Sequence, residues 1–326
     1  MDRLPVFSDV EDAARRIAGE AVRTPLLEND ALNERLGGRV LIKPECLQRT
    51  GSFKFRGAYN RLSRIAPEAR EKGVVAFSSG NHAQGVALAA RLLGIPATIV
   101  MPSDAPKIKS DGVRRLGGEV VEFDRETEDR EAVSAEIVDR TGATLVPSYD
   151  DPYIIAGQGT AGLEAAQDLQ AMGIFPDQFV CCAGGGGLIA GCGLAMKHFF
   201  ADCDLLAAEP EGFDDHRRSL MAGERVANAR KTGSLQDAII TQIPGKLTFQ
   251  LNQTQLSGGV TASDADTLEA IAFIWKHLKL VAEPGGATAF ASLLNGQVDT
   301  RGHTTVVLIT GGNVDPDVFK QALDRA

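Results

Sequence analysis

Nothing in this 326-residue sequence approaches the roughly 20 consecutive apolar residues that a membrane span requires. Its first residues, MDRLPVFSDV, contain no apolar signal-peptide core. Basic clusters are missing as well, and the net charge of −9 argues against a nucleic-acid partner, whose phosphates need a cationic face. Cysteine is scarce and irregular: Cys46, Cys181, Cys182, Cys192 and Cys203 show no CxxC pairs, so a structural zinc site is excluded. Cys181 and Cys182 lie in the apolar run FVCCA and read as buried thiols in a reducing compartment. No internal repeat, low-complexity tract or separable linker interrupts the chain. These absences leave a cytoplasmic enzyme acting on a small molecule as the expectation.

What is present is ordinary globular composition, 44% hydrophobic and 24% charged, with length enough for one large domain or two smaller ones. Ser8 to Ala18 reads as an amphipathic helix with Ser8 as its N-cap. RVLIKPECL is a strand leading to a loop that ends at Gly51 and Ser52, and Lys54 opens the helix FKFRGAYNRLSRI. Short apolar strands (VVAFS, ATIVM, EVVEF, TLVPS) then alternate with helices, the pattern of a parallel sheet. We expect residues 73–150 to form a smaller inserted domain within a large one made of 1–72 and 151–326. In the second part GQGTAGLEAAQDLQAMG is a helix, FVCCA a strand, GGGGLIAGCGLAMKHFF a glycine-led helix and LLAAEP another strand. Ser263 caps SDADTLEAIAFIWKHLKL through Asp266, and TTVVLIT is the last buried strand.

Five motifs carry chemistry. In SFKFRGA, Lys54 stands between Phe53 and Phe55, neighbours that desolvate an amine, lower its pKa and free its lone pair to attack an aldehyde. Taken alone, the lysine reads as an ordinary solvated surface charge at the start of a helix. Gly184, Gly185, Gly186 and Gly187 join a strand to a helix, so unhindered N–H groups and the helix dipole converge on one anion site. No Lys–Ser or Lys–Thr pair follows, which removes the nucleotide P-loop; a bare tight turn remains open. SSGNH (Ser78 to His82) follows a strand and precedes a helix, at the sheet edge where open α/β folds bind ligands, although capping accounts equally for Ser78 or Asn81 alone. TGGN (Thr310 to Asn313) closes another strand at that same edge. In EPEGFDD, Glu209, Asp215 and a backbone carbonyl near Phe213 are oxygen donors suited to a hard divalent cation, or simply a solvated loop.

SFKFRGA, SSGNHAQGVALAA, LGIPATIVMP, IAGQGT, GGGGLIAG and VVLITGGN occur here in an order that resembles the fold-type II pyridoxal-phosphate enzymes, specifically the threonine dehydratase and serine racemase group. The resemblance covers nearly the whole chain. It implies a tryptophan synthase β-like α/β fold with two open, parallel-type sheets. It further implies that Lys54 carries pyridoxal 5'-phosphate as a Schiff base and removes the Cα proton, with Phe53 against the cofactor ring. Asn81 is then the partner of the cofactor's phenolic oxygen, Gly184 to Gly187 the phosphate cradle, and Thr310 the hydroxyl facing the ring nitrogen. Ser78, Ser79, Asn81 and His82 correspond to the loop holding the substrate carboxylate, and Arg130 to a lid arginine of the racemase subgroup. Ser79, in place of the alanine of simple bacterial threonine dehydratases, is similar to the racemases' second acid–base group. EPEGFDD is similar to the metal site of the racemase and 3-hydroxyaspartate dehydratase branch, which implies Mg2+ (or Mn2+ or Ca2+) at Glu209, Phe213 and Asp215. Ala238 departs from the family's pocket-lining glycine.

The activity so implied is loss of water and ammonia from an L-hydroxy amino acid of threonine or serine type to give a 2-oxo acid. The alternatives are 3-hydroxyaspartate dehydration, and serine or aspartate racemisation with dehydratase side activity. A homodimer or higher homo-oligomer is expected. So is freedom from feedback inhibition, because no C-terminal regulatory domain follows the catalytic part.

Overall fold

A computed structural model describes residues 3–105, 107–124 and 126–325, without the side chain of Ile108. Among the described residues, ten strands build two sheets. The larger contains β1 (Leu27–Glu28), β2 (Arg39–Pro44), β7 (Gln178–Cys182), β8 (Asp204–Pro210), β9 (Gly258–Ala262) and β10 (Thr304–Ile309), in the order β1-β2-β10-β7-β8-β9. Only the short β1 runs antiparallel to its neighbour. The smaller contains β3 (Val74–Phe77), β4 (Ala97–Pro102), β5 (Glu119–Phe123) and β6 (Thr144–Leu145), all parallel, in the order β5-β4-β3-β6. Strands of a parallel sheet buried on both faces read as continuous apolar runs, and β10 (TTVVLI) is buried at every position after Thr304.

Apolar side chains from the two faces of the larger sheet enter separate cores. Val40, Ile42, Val180 and Val307 pack on one side, while Leu41, Phe179, Val306 and Leu308 pack on the other, as the period of a strand requires. The core under the smaller sheet joins Val74, Ala76, Ile99 and Met101 to Phe55, Ala58 and Leu62 from the helix Lys54–Leu62, and to Ile154. That helix therefore contributes to the same core as the strands that follow it. No helix among the described residues is long and apolar enough to cross a membrane.

Several local signals hold. Gly94 ends the helix Asn81–Leu93 in the left-handed conformation. Ser263 and Asp266 close a reciprocal capping box at the start of the helix Asp264–Phe273. Two expectations are corrected. The first helix spans Phe7–Ile17, so Ser8 lies inside its first turn; the Val6 N–H donates to Asp9 Oδ2 at 2.8 Å instead. The helix read from Gly157 begins at Pro152, because Asp151 accepts from the amides of Tyr153 and Ile154 and proline suits the first helical position.

Register sets the site. Ile309 pairs with Pro44, so the segment leaving β2 runs beside TGGN. A bridge from Ser52 to Gly311 and a hydrogen bond from the Phe53 N–H to the Thr310 carbonyl (3.2 Å) fix the chain just before Lys54. Two residues later, Arg56 is fully buried. Its guanidinium donates to both oxygens of Glu45 (2.7 and 2.8 Å) and both oxygens of Glu164 (2.7 and 2.9 Å). Lys43, also buried, donates to Glu164 at 2.7 Å and to the Thr24 carbonyl at 2.7 Å. Burial pushes the Glu45 carboxyl up, but the charges and hydrogen bonds of Arg56, with Lys43, outweigh it and hold the group below its ordinary value. Breaking such a buried pair leaves an uncompensated charge, so Arg56→Ala is expected to cost about 3–5 kcal/mol in urea unfolding. A loss below about 1 kcal/mol would show that the network contributes little.

Candidate active site

Lys54, at the first position of its helix, sits against the helix that opens at Asn81. Gly85 allows the approach, since a Cβ there would lie 3.1 Å from the Lys54 carbonyl carbon. The Lys54 amine donates to the Ser148 carbonyl at 2.8 Å and lies 5.1 Å from the centre of the Phe53 ring. Burial pulls its pKa down to about 8. His82 is buried on the neighbouring helix, its Nε2 bonded to the Val146 carbonyl at 2.9 Å. Burial, and the Lys54 charge beside it, pull the imidazole down to about 3. The neutral ring therefore donates from Nε2, and its Nδ1 has no partner among the described residues.

The glycine tetrad is held from behind. The Gly184 carbonyl takes a hydrogen bond from His216 Nε2 (2.9 Å), the Gly185 carbonyl from the Thr248 hydroxyl (2.6 Å) and the Gly186 carbonyl from Asn252 Nδ2 (3.4 Å). With the carbonyls engaged, the amides of Gly184 to Gly187 have no acceptor among the described residues. Gly186 has φ +88°, and a Cβ on it would meet His216 at 2.4 Å; one on Gly185 would meet the Tyr149 ring at 2.2 Å. A side chain at either position would have to displace these neighbours. Burial keeps His216 neutral, with its pKa down at about 4, so it serves as a fixed donor.

SSGNH and TGGN leave different sheets, not one edge, yet they meet. Asn81 Oδ1 accepts from Asn313 Nδ2 at 2.7 Å, and Asn81 Nδ2 donates to Glu283 Oε1 at 2.5 Å. Ser78 Oγ accepts from the Gly80 amide at 3.2 Å, and Ser79 lies half-buried beside it. Thr310 is buried, its hydroxyl at the Cys182 thiol, which burial pushes up to about 11. Arg130 lies with its guanidinium 5.2 Å above the ring of Phe77, the residue before Ser78, and has no carboxylate partner among the described residues. Ala238 sits against Gly285, where an added Cβ would lie 3.1 Å from its own.

Glu209 and Asp215 are both buried, but each already has donors. Glu209 accepts from the amides of His216 (2.7 Å) and Arg217 (2.8 Å), while Asp215 accepts from Asn228 Nδ2 (2.8 Å) and the Thr241 hydroxyl (3.3 Å). Burial and the Asp215 charge push Glu209 well above the ordinary carboxylate range, and burial pushes Asp215 up to about 6. Phe213 is buried with the Arg230 guanidinium over its ring. No cluster of three or more His, Cys, Asp or Glu side chains suited to a metal occurs among the described residues. The sequence reading missed Tyr149, His216, Thr248, Asn252 and Glu283. Asn313 lay inside TGGN without a role of its own, and His216 lay one residue beyond EPEGFDD.

Fold and site together define an α/β enzyme architecture with a partly buried, low-pKa amine and four glycine amides that have no acceptor among the described residues. The chain belongs to the pyridoxal-phosphate dependent enzyme family, whose model matches residues 17–311. It is 44% identical over 321 residues to the L-threo-3-hydroxyaspartate ammonia-lyase of a Pseudomonas species, covering 98% of this chain and 99% of that protein. It is 37% identical over 322 residues to the serine racemase of Schizosaccharomyces pombe, covering 99% and 98%. Among solved structures, the serine racemase of maize superposes with a TM-score of 0.92 at 33% identity, covering 99% of this chain and 98% of that one.

An amine with a pKa near 8 reacts with aldehydes most steeply below that value. In cofactor-free protein, labelling of Lys54 by a small aldehyde, followed by mass spectrometry of its peptide, should rise about tenfold per pH unit up to about pH 7 and level off near pH 9. A rise that continues through about pH 10 would place the amine at its ordinary value.

Proposed function

We propose that this chain is a pyridoxal-phosphate-dependent ammonia-lyase that converts an L-hydroxy amino acid of the threonine, serine or 3-hydroxyaspartate kind to a 2-oxo acid and ammonia. The observation that carries this reading is the Lys54 amine bonded to the Ser148 carbonyl, whose next residue, Tyr149, packs on a cradle of amides without acceptors. Those residues fit the cofactor. The amides of Gly184 to Gly187 suit its phosphate, Lys54 its aldehyde, Phe53 and Asn81 its ring and phenolic oxygen, and Thr310 its ring nitrogen. When bound, it supplies an electron sink that makes the substrate's Cα–H acidic.

The rest falls to the protein. Lys54, neutral in part near pH 8, takes the Cα proton, a general-base contribution of roughly 10²–10⁴ in rate. Ser78, Ser79 and Asn81, at the N-terminus of the helix Asn81–Leu93, hold the substrate carboxylate where amides and helix dipole favour negative charge. His82, held neutral, orders that loop by anchoring to the Val146 carbonyl. The proton taken by Lys54 balances the one the β-hydroxyl needs to leave as water, and hydrolysis of the remaining enamine releases ammonia and the 2-oxo acid. Thr310 offers a neutral hydroxyl rather than a carboxylate, which suits elimination. Racemisation is the competing outcome, with Ser79 delivering a proton to Cα from the other face.

Arg130 favours a more specific reading within this class. It has no carboxylate of its own among the described residues and stacks on Phe77 beside the SSGNH loop, which supports a role in receiving the second carboxylate of 3-hydroxyaspartate. Glu209 and Asp215 are buried like charges, and a divalent cation such as Mg2+, Mn2+ or Ca2+, completed by the Phe213 carbonyl and water, would offset their repulsion. We include a homo-oligomer in this reading, since Met172, Phe175 and Met221 present exposed apolar surface. The cytoplasm is included too, since all five cysteines are free thiols.

An ammonia-release panel over serine, threonine and both 3-hydroxyaspartate diastereomers tests the function; no release from any of them would overturn it. Arg130→Ala should lower kcat/KM for 3-hydroxyaspartate by about 10- to 100-fold and leave serine nearly unchanged, whereas equal losses would remove Arg130 from substrate recognition. Ser79→Ala should abolish any racemisation and spare elimination from the L-isomer. Saturating Mg2+ at about 100 times its Kd should stabilise the chelator-treated protein by about 2.7 kcal/mol, and no shift in the melting temperature would dismiss the cation.

A further inference from the structure

Glu283 precedes the helix Pro284–Leu294 but does not cap it with its side chain. The carboxylate instead reaches across Gly311, where an added Cβ would lie 1.9 Å from Glu283 Oε1, and accepts from Asn81 Nδ2 at 2.5 Å. The other end of the Asn81 amide is also spoken for. Asn313 Nδ2 donates to Asn81 Oδ1 at 2.7 Å and to the Thr50 carbonyl at 2.7 Å. A backbone carbonyl can only accept, so Thr50 fixes which end of Asn313 is nitrogen. Both N–H groups of Asn313 are then used, and Asn81 must turn its oxygen toward it. The Asn81 nitrogen is thereby turned to the opposite side, where Glu283 Oε1 accepts from it.

We propose that Glu283, with Asn313, is a positioning residue that fixes the rotation of the Asn81 amide so that its one unused N–H faces the cofactor's phenolic oxygen. This rests on the reading of Asn81 given above. The amide's two ends differ by one atom type and would otherwise exchange freely by rotation. A donor held in place stabilises the ionised phenolic oxygen, whereas an amide turned over would present an oxygen to it and repel it. Glu283 is 7% exposed and has no cationic partner in contact among the described residues. Burial pushes its carboxyl up to about 7; the Asn81 hydrogen bond and Lys109 pull it back, and Asp237 pushes it further. A buried carboxyl with a single hydrogen-bond partner is poorly explained by stability alone, because replacing such a group by a neutral one of the same shape is often neutral or stabilising.

The test is the visible spectrum of the holoenzyme against pH, which reports ionisation of the cofactor chromophore independently of turnover. Glu283→Gln keeps the shape and removes the charge; Asn313→Ala removes the other restraint at an exposed position. Both should bind pyridoxal phosphate and fold, as read by circular dichroism, yet shift the midpoint of the spectral titration upward by about one unit or more, a tenfold change in the ionisation constant. Glu283→Asp, which keeps the charge at shorter reach, should fall between Gln and the unaltered protein. Titrations of Glu283→Gln and Asn313→Ala that superpose on the unaltered protein would overturn the proposal, whatever their activities. Should Glu283→Gln fail to fold, Asn313→Ala decides alone by the same criterion. Asn81→Ala separates the two layers. An unchanged titration there removes the reading of Asn81 and the inference with it, whereas a shift there, without one in the other two variants, removes the inference only.

Discussion

Arg56 sits two residues beyond Lys54 with no exposure to water, and both of its carboxylate partners come from elsewhere in the chain. Glu45 follows β2, and Glu164 belongs to the long helix Pro152–Met172. The guanidinium is planar and always charged, so it can satisfy two carboxylates bidentately where a lysine could not. Three segments that share no local sequence signal are thereby locked around the first turn of one short helix. Lys43 completes the balance, two cations against two carboxylates, so the cluster buries no net charge. The position of the Lys54 amine follows from this arrangement. Its own side chain makes a single hydrogen bond, which is too little to hold a long flexible chain without a rigid base.

The same economy governs the anion cradle. Backbone amides are useful to a ligand only if the peptide planes that carry them cannot turn, and the three side chains on the carbonyls of Gly184, Gly185 and Gly186 provide that rigidity. His216 does so from the start of the helix Asp215–Ala222, whose first amides are held by Glu209. The acidic loop and the cradle are thus one connected structure. Glu209 holds the His216 amide, and the His216 ring holds the Gly184 carbonyl.

Motifs whose meaning is local were legible in the sequence. A strand followed by glycines and a helix, and Ser263 three residues before Asp266, each follow from backbone chemistry. Lys54 was legible through its neighbours and its family resemblance. What escaped depends on contacts between distant segments. Glu283 lies 202 positions from Asn81, and Asn252 lies 66 from Gly186; nothing in either stretch distinguishes them from ordinary polar residues. The first helix misled for a different reason. Ser8 is a good N-cap by type, but Asp9 reaching back to the Val6 amide started the helix earlier. Two sheets were expected from the family resemblance and a smaller domain over 73–150 from the strand–helix alternation, while the helix Lys54–Leu62 packs into the core of the smaller sheet, a choice that no periodicity reveals.

The function proposed above depends on one nitrogen atom, that of Lys54, reaching an aldehyde whose anionic end the glycine amides would hold. Reduction of the holoprotein with borohydride, followed by peptide mapping, examines that arrangement most directly. A stable pyridoxyl label on Lys54, lost in Lys54→Ala, is the predicted result. A label on another lysine, or protein that takes up no label after incubation with pyridoxal phosphate, would contradict it.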